Sequence, residues 1–456
     1  MTTNPADGRL SLLRLIAFSL PGLCIGAITV AVPVFLPRYY ASHYNLSLGA
    51  VGGAFMIVRL IDMMIDPVIG LMMDRTRTAF GRYRPWMAAG APILMLPIYM
   101  LFAPHGAVGL AYLVGWLLVY YVGWSLIVLS HTAWASVIAG HYHERSRVFG
   151  VIQIVSVLGA VGVLVLPVVS SAMGRAASGN TWLMGLFILV VAPAGVLAAI
   201  TVTPERILAD DASEKFGLRD YLALVARPDM RRIVIADFCL TLGPGWMSAL
   251  YLFYFHDSRG FTVADASKLL LIYIAAGVIG AFAISRLAQR LGKHRTQMLA
   301  AVTYSLGLLA ITLLPKGDFP LTSAFMAVMG FVASGFVPLD RAMVADVGDA
   351  VRLETGKNRA GLLYSMVTTV QKLAAALSIG ASFTVLGWID YRAQETARNT
   401  AAAVHGMELV YLIGPVVFVM LGAACYIGYT LDDKRHGDIR AQLDARDAGR
   451  ADPRGS

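Results

Sequence analysis

Apolar runs of about twenty residues or more recur along almost the whole chain, separated by short polar loops. An α-helix rises 1.5 Å per residue, so about twenty such residues cross a hydrocarbon core about 30 Å thick. The runs give twelve spans, at residues 12–36, 48–73, 86–104, 108–139, 147–173, 181–202, 231–256, 264–289, 296–315, 320–345, 360–388 and 405–430. A chain that is 57% hydrophobic and 14% charged suits lipid as its solvent and excludes an ordinary soluble globule. A membrane barrel is excluded as well, because its strands show as short alternating segments. The expected fold class is all-α and integral to the membrane, with twelve transmembrane helices in two pseudo-symmetric six-helix bundles.

The formal charge of +9 does not mark a nucleic-acid surface, because the basic residues sit in short loops between spans. One alternate set of loops carries Arg75, Arg77, Arg82 and Arg84, then Arg145 and Arg147, then Arg206, Lys215, Arg219 and Arg227, and further on Arg290, Lys293, Arg295, Arg352, Lys357 and Arg359. The opposite set is poorer, with Arg38, Arg175, Arg259, Lys316, Arg392 and Arg398. Basic loops stay on the cytoplasmic side, so both termini are expected in the cytoplasm of a multi-pass inner-membrane protein. The first apolar run reads as a retained helix rather than a cleaved signal. Residues 203–230 are the longest polar interruption and divide the chain into an N-terminal bundle (1–202), this linker, a C-terminal bundle (231–431) and a charged tail (432–456). Cys24, Cys239 and Cys425 lie in apolar runs without paired or metal-ligand spacing and read as small buried hydrophobes.

The halves look like copies. "GLMMDRTRTAFGRYR" after the second span aligns with "GAFAISRLAQRLGKHR" after the eighth, placing Gly81 opposite Gly292 and Arg82 and Arg84 opposite Lys293 and Arg295. A weaker parallel sets Pro21-Gly22 of the first span beside Gly243-Pro244-Gly245 of the seventh. Helices broken at corresponding positions point to a transporter's central site, although Pro and Gly are common in membrane helices anyway.

The second span holds two acids, Asp62 and Asp66, four residues apart and therefore on one helix face. Insertion scales put a carboxylate at the helix centre at about 2.5–3.5 kcal/mol, so neither persists without a partner or a polar cavity. Two neighbouring acids hold a proton or bind a cation between them, and oxygen ligands suit a hard ion such as sodium. The plainer alternative pairs one acid with a nearby base, Arg59 for example. Lys372, well inside the eleventh span, needs a counter-charge, and the acid pair is one candidate; the other outcome is that it reaches the cytoplasmic end of its helix. In the fourth span His131 either titrates near neutral pH or serves as a packing group. Gln153 in the fifth either bonds a polar ligand or joins two helices.

The loop "DRTRTAFGRYR", with Asp74, Arg75, Arg82 and Arg84, reads as a cytoplasmic gate whose cations pair across the domain boundary or with helix C-termini. The alternative is a purely topogenic signal. A nucleophile with a base, a metal-ligand cluster and a phosphate-cradling loop were each sought, and none has credible spacing, so the chain is not read as an enzyme and no cofactor is expected.

"DMMIDPVIGLMMDRTRTAFGRYRPW" and "MVADVGDAVRLETGKNRAGLLYSM" resemble two signatures of the glycoside-pentoside-hexuronide:cation symporters, the melibiose-permease-like branch of the major facilitator superfamily. The resemblance implies a two-domain, twelve-helix carrier that moves a sugar or related solute with sodium, lithium or a proton by alternating access. It places Asp62 and Asp66 on the paired cation-binding acids, Lys372 on a helix-eleven lysine and Trp134 on an aromatic lining the sugar pocket. Ser130 stands where the melibiose carrier has a helix-four acid, so the implied cation site is Asp62, Asp66 and the Ser130 hydroxyl, less negative than that carrier's. A helix-one sugar-binding acid is missing, Gln153 replaces an arginine and Val337 an aromatic, which argues against melibiose itself and suits a less polar cargo, an amphipathic compound or lysolipid included. The expected partners are a small solute, a monovalent cation and membrane lipid, with the chain acting as a monomer.

Overall fold

The computed structural model describes residues 10–44, 46–138, 142–174, 179–205, 218–356, 359–394, 397 and 399–451. Among them, twelve helices are long and apolar enough to cross a membrane. They are α1 Leu12–His43, α2 Leu48–Met73, α3 Arg84–Phe102, α4 Leu110–Ile138, α5 Arg147–Ala172, α6 Thr181–Val202, α7 Pro228–Ser258, α8 Val263–Leu291, α9 Lys293–Leu313, α10 Phe319–Thr355, α11 Gly361–Trp388 and α12 Ala401–Ala424. A polar helix, α13, follows at Asp433–Ala451. In the expected linker a short helix spans Leu218–Val225, while residues 206–217 lie outside the described residues.

Each apolar run became a helix, and the differences lie at the ends. The run 320–345 stops where Asp346, Asp349 and Arg352 begin, yet α10 continues to Thr355. Hydropathy ends with the lipid, whereas a helix ends at a stop signal: Gly356, in the left-handed region at φ 74°, donates its N–H to Arg352 O. The twelfth helix starts earlier than 405 because the Thr400 side chain accepts the Ala403 N–H at 3.1 Å and sets the cap.

The parallel between helix breaks takes a different form. Helix α1 is interrupted at Leu20, just before Pro21, but α7 runs as regular α-helix through Pro244 to Leu252. The halves match instead in a wider π-helical stretch farther along, Ala31–Phe35 in α1 and Phe253–Ser258 in α7.

Packing gathers the chain into two compact units. The first comprises Met1–Ala212, Ser248–Leu271 and Ile379–Glu408; the second comprises Ser213–Met247, Ile272–Ser378 and Leu409–Ser456. In the first, α3 packs on α4 and α6, α1 on α5 and α6, and α2 on α4. The α1–α5 crossing is backbone-close: a Cβ on Gly26 would lie 1.6 Å from Ser156 O, and one on Gly159 would lie 2.0 Å from Leu23 O. In the second, α9 packs on α10, and α10 on α13. Ile57, Ile61, Met64, Val68 and Leu71 form an exposed apolar stripe along one side of α2. Asp62 lies on the other side, with Val58 and Ile69.

Candidate ion and substrate site

In the first unit the Asp62 side chain is 1% exposed. Its Oδ2 accepts a hydrogen bond from Arg59 Nη1 at 3.0 Å, an i,i+3 pair along α2. Its Oδ1 accepts from Ser125 Oγ of α4 at 2.8 Å. The Arg59 guanidinium lies over the Tyr121 ring, 4.9 Å from its centroid, so aromatic surface covers the charge that lipid would penalise. Asp66, one turn on, is half-buried.

The partner base that was only one alternative in the sequence, Arg59, is therefore in place, and Asp62 does not face Asp66 as an unbalanced charge. The α4 hydroxyl beside Asp62 is that of Ser125. Ser130 is fully buried and donates to its own helix, to Leu126 O at 2.5 Å and Ile127 O at 3.2 Å. Five residues is nearly one and a half helical turns, so the two serines face different neighbours. Ser125 was not among the expected residues, because the resemblance pointed to position 130. The available signal was a small hydroxyl in the apolar run, level with the acids.

The other expected site residues lie on three helices. His131 and Trp134 lie together under α1: His131 Nε2 donates to Phe18 O at 2.8 Å, and the Phe18 ring meets the Trp134 ring edge-on at 5.1 Å. His131 is 2% and Trp134 0% exposed, so both rings are covered. The Arg84 guanidinium stands 5.6 Å from the Trp134 ring. Gln153 is exposed on α5, and Lys372 is half-buried on α11 in the second unit.

The arginine-rich loop is organised by an acid the sequence reading did not single out. Glu205, just past α6, accepts the backbone N–H groups of Arg82 at 2.7 Å, Tyr83 at 2.8 Å and Arg84 at 3.3 Å. It thereby caps the N-terminus of α3, where unsatisfied donors and the helix dipole both favour an anion. Arg82 Nε donates to Met73 O at 3.3 Å, and Arg84 Nη2 donates to Thr203 O, so these cations meet the C-terminal ends of α2 and α6. That is one of the two pairings expected of the loop. Arg75 is exposed, and the side chain of Asp74 lies outside the described residues. Gly81 has φ 124°, and a Cβ there would fall 2.1 Å from Glu205 Oε2. In the second half Gly292 also has a positive φ, 88°, and its Cβ position lies 3.2 Å from Asp433 Oδ2, at the start of α13. On its far side from this loop, the first unit ties α1 to α7: Arg38 Nη2 binds Asp257 Oδ1 at 2.7 Å, and the Tyr391 hydroxyl donates to Asp257 Oδ2 at 2.5 Å. Burial and the Asp257 carboxylate both push the Tyr391 phenol up, which keeps it a donor.

Comparison with known proteins places this architecture. Residues 17–433 match the family described as MFS/sugar transport protein. The chain is 26% identical over 460 residues to an uncharacterized symporter, YnaJ, of Bacillus subtilis (strain 168), covering 96% of each chain. It is 25% identical over 416 residues to an isoprimeverose transporter of Lactiplantibacillus pentosus, covering 88% of this chain and 85% of the relative. The crystal structure of the nucleoside transporter NupG superimposes with a TM-score of 0.68 at 14% identity, covering 92% of this chain and 99% of that one, and shows the shared fold. A twelve-helix, multi-pass architecture and a match over nearly the whole length lead to one conclusion: the chain belongs to the MFS/sugar transport protein family, whose members are transporters and not enzymes.

Proposed function

We propose that this chain is a secondary active symporter that couples one monovalent cation, sodium or a proton, to a glycoside or related sugar. It works in the inner membrane by alternating access, with both termini in the cytoplasm. The observation that carries the reading is an ion pair inside a membrane span, Arg59 with the buried Asp62, one turn from a second, half-buried acid, Asp66. Charge so deep in a span is expensive and marks an ion pathway by default. The relatives named as a symporter and as a transporter of isoprimeverose support the solute class.

In this reading the cation binds at Asp66 beside the buried Asp62, which Ser125 and Arg59 hold in place. The bound cation removes the charge that disfavours closing the site away from water. Trp134, with Arg84 beside it, offers a ring face for a sugar once α1 moves off it, and Gln153 supplies a polar contact. Arg75, Arg82 and Arg84, with Asp74, belong to the gate between closed and open cytoplasmic states.

The test is uptake by proteoliposomes across a panel of glycosides, with an inward sodium gradient, an inward proton gradient or none. Concentrative uptake on one gradient, lost in Asp66→Asn with exchange down a solute gradient retained, is the expected result. Equal accumulation by wild type and Asp66→Asn refutes the cation role. Accumulation of a lysolipid but no glycoside on the panel refutes the solute class.

A further inference from the structure

The second unit holds two acids that the proposed cation site does not use. Asp237 of α7 and Asp340 of α10 are each 1% exposed. Asp237 Oδ1 accepts from Gln371 Nε2 of α11 at 2.9 Å. Asp340 Oδ1 accepts from the Tyr426 hydroxyl and from Gln297 Nε2 of α9 at 3.3 Å. Gln297 is fully buried and also donates to Phe336 O at 3.1 Å. Asp237 thus joins α7 to α11, and Asp340 joins α9, α10 and the segment after α12, while α7 passes close to α12 at the same level, where a Cβ on Gly422 would lie 3.2 Å from Ala236 O.

Two acceptors in the cluster lack a donor: Asp237 Oδ2 and Gln297 Oε1 are buried without a hydrogen bond. Buried polar atoms are ordinarily paired, so each calls for an explanation. The charged and titratable groups facing the pair are Arg341, which acts on Asp237, and Tyr426 and Tyr429, which act on Asp340. The acids also act on one another. Among the described residues neither acid forms an ion pair with an arginine or lysine. Two carboxylates close together and withdrawn from water do not both stay ionised; they take up a positive charge.

We propose that Asp237 and Asp340 form a second titratable site, held by Gln371, Tyr426 and Gln297, that binds and releases one proton independently of the cation at Asp62 and Asp66. A proton on either acid converts an acceptor into a donor, the group missing from the cluster. A metal cation suits the site less well, because the neighbours present N–H and O–H donors to the carboxylates where a hard ion needs a shell of oxygens. Gln371 and Lys372 are consecutive on α11. A movement of α11 that re-places Lys372 therefore also draws Gln371 from Asp237, which admits water and lets the proton go.

The experiment uses the full chain in liposomes with Asp66→Asn as background, and transport is not the readout. Infrared difference spectra are recorded on stepping from mildly acid to mildly alkaline pH. The expected result is a protonated-carboxyl band that disappears with rising pH and is absent when Asp237→Asn or Asp340→Asn is added. Tyr426→Phe, which keeps the packing and removes one donor to the carboxylate, should raise the midpoint by about one pH unit. This variant reads the site even if an asparagine variant does not fold. No pH-dependent band, a band that survives both asparagine changes, an unmoved midpoint in Tyr426→Phe, or loss of the band on adding sodium at fixed pH each overturns the proposal.

Discussion

Asp62 has one oxygen on a guanidinium and the other on a hydroxyl, and its substitutions should report that sharing. Removing one partner of a buried ion pair leaves the other charge uncompensated, at about 3–5 kcal/mol. Asp62→Asn and Arg59→Met are each expected to lower thermal stability in detergent strongly, while the double variant recovers part of the loss; additive effects would show that the two are not coupled. The serines of α4 offer a sharper contrast. Ser125→Ala removes a bond to the carboxylate and should raise the half-saturating cation concentration about tenfold, which corresponds to about 1.4 kcal/mol. Ser130→Ala should leave it unchanged, because that hydroxyl is committed to the α4 backbone. Equal effects of the two changes would return Ser130 to the cation site.

At the scale of helices, ends and crossings decide most. The α3 N-terminus depends on Glu205, which takes three backbone N–H groups at once. Glu205→Ala should cost about 1–2 kcal/mol in unfolding and Glu205→Gln less, since an amide oxygen still accepts without the charge. Gly81→Ala should be as harmful as Glu205→Ala, because the backbone conformation and the carboxylate both exclude a methyl. No loss of melting temperature in either would mean that the loop organises itself otherwise. Helices α1 and α5 approach through Gly26 and Gly159, so Gly26→Val should push them apart and abolish stable expression, whereas Gly53→Ala on α2, with open space around its Cβ position, should be silent.

At the scale of the molecule, the tie among Arg38, Asp257 and Tyr391 fixes the π-helical end of α7 against α1. Tyr391→Phe and Arg38→Gln should each speed backbone hydrogen exchange over Phe253–Ser258, read by mass spectrometry, with less change in Pro228–Leu252; uniform exchange along α7 would argue against a local tie. The twelve helices and the repeat around Gly81 and Gly292 were legible because lipid imposes length and apolarity on each span, and because a positive φ selects glycine. The extension of α10 beyond its apolar run was not, since hydropathy is silent once a helix leaves the bilayer. The same blindness hid Glu205, whose function is defined by an N-terminus more than a hundred residues away. It also hid Asp237 and Asp340, which lie about a hundred positions apart and become a pair only when α7 and α10 fold into one unit.

The sequence by itself determined that this chain lives in lipid, crosses it as helices in two related halves and keeps acids where acids are costly, because local composition sets the free energy of transfer for each segment. Tertiary structure alone decided which groups meet: Arg59 and Ser125 on Asp62, the Leu126 and Ile127 carbonyls on Ser130, Phe18 on His131 and Trp134. Those choices depend on the rotation of each helix about its axis, which is set by the packing of neighbours and not by hydropathy.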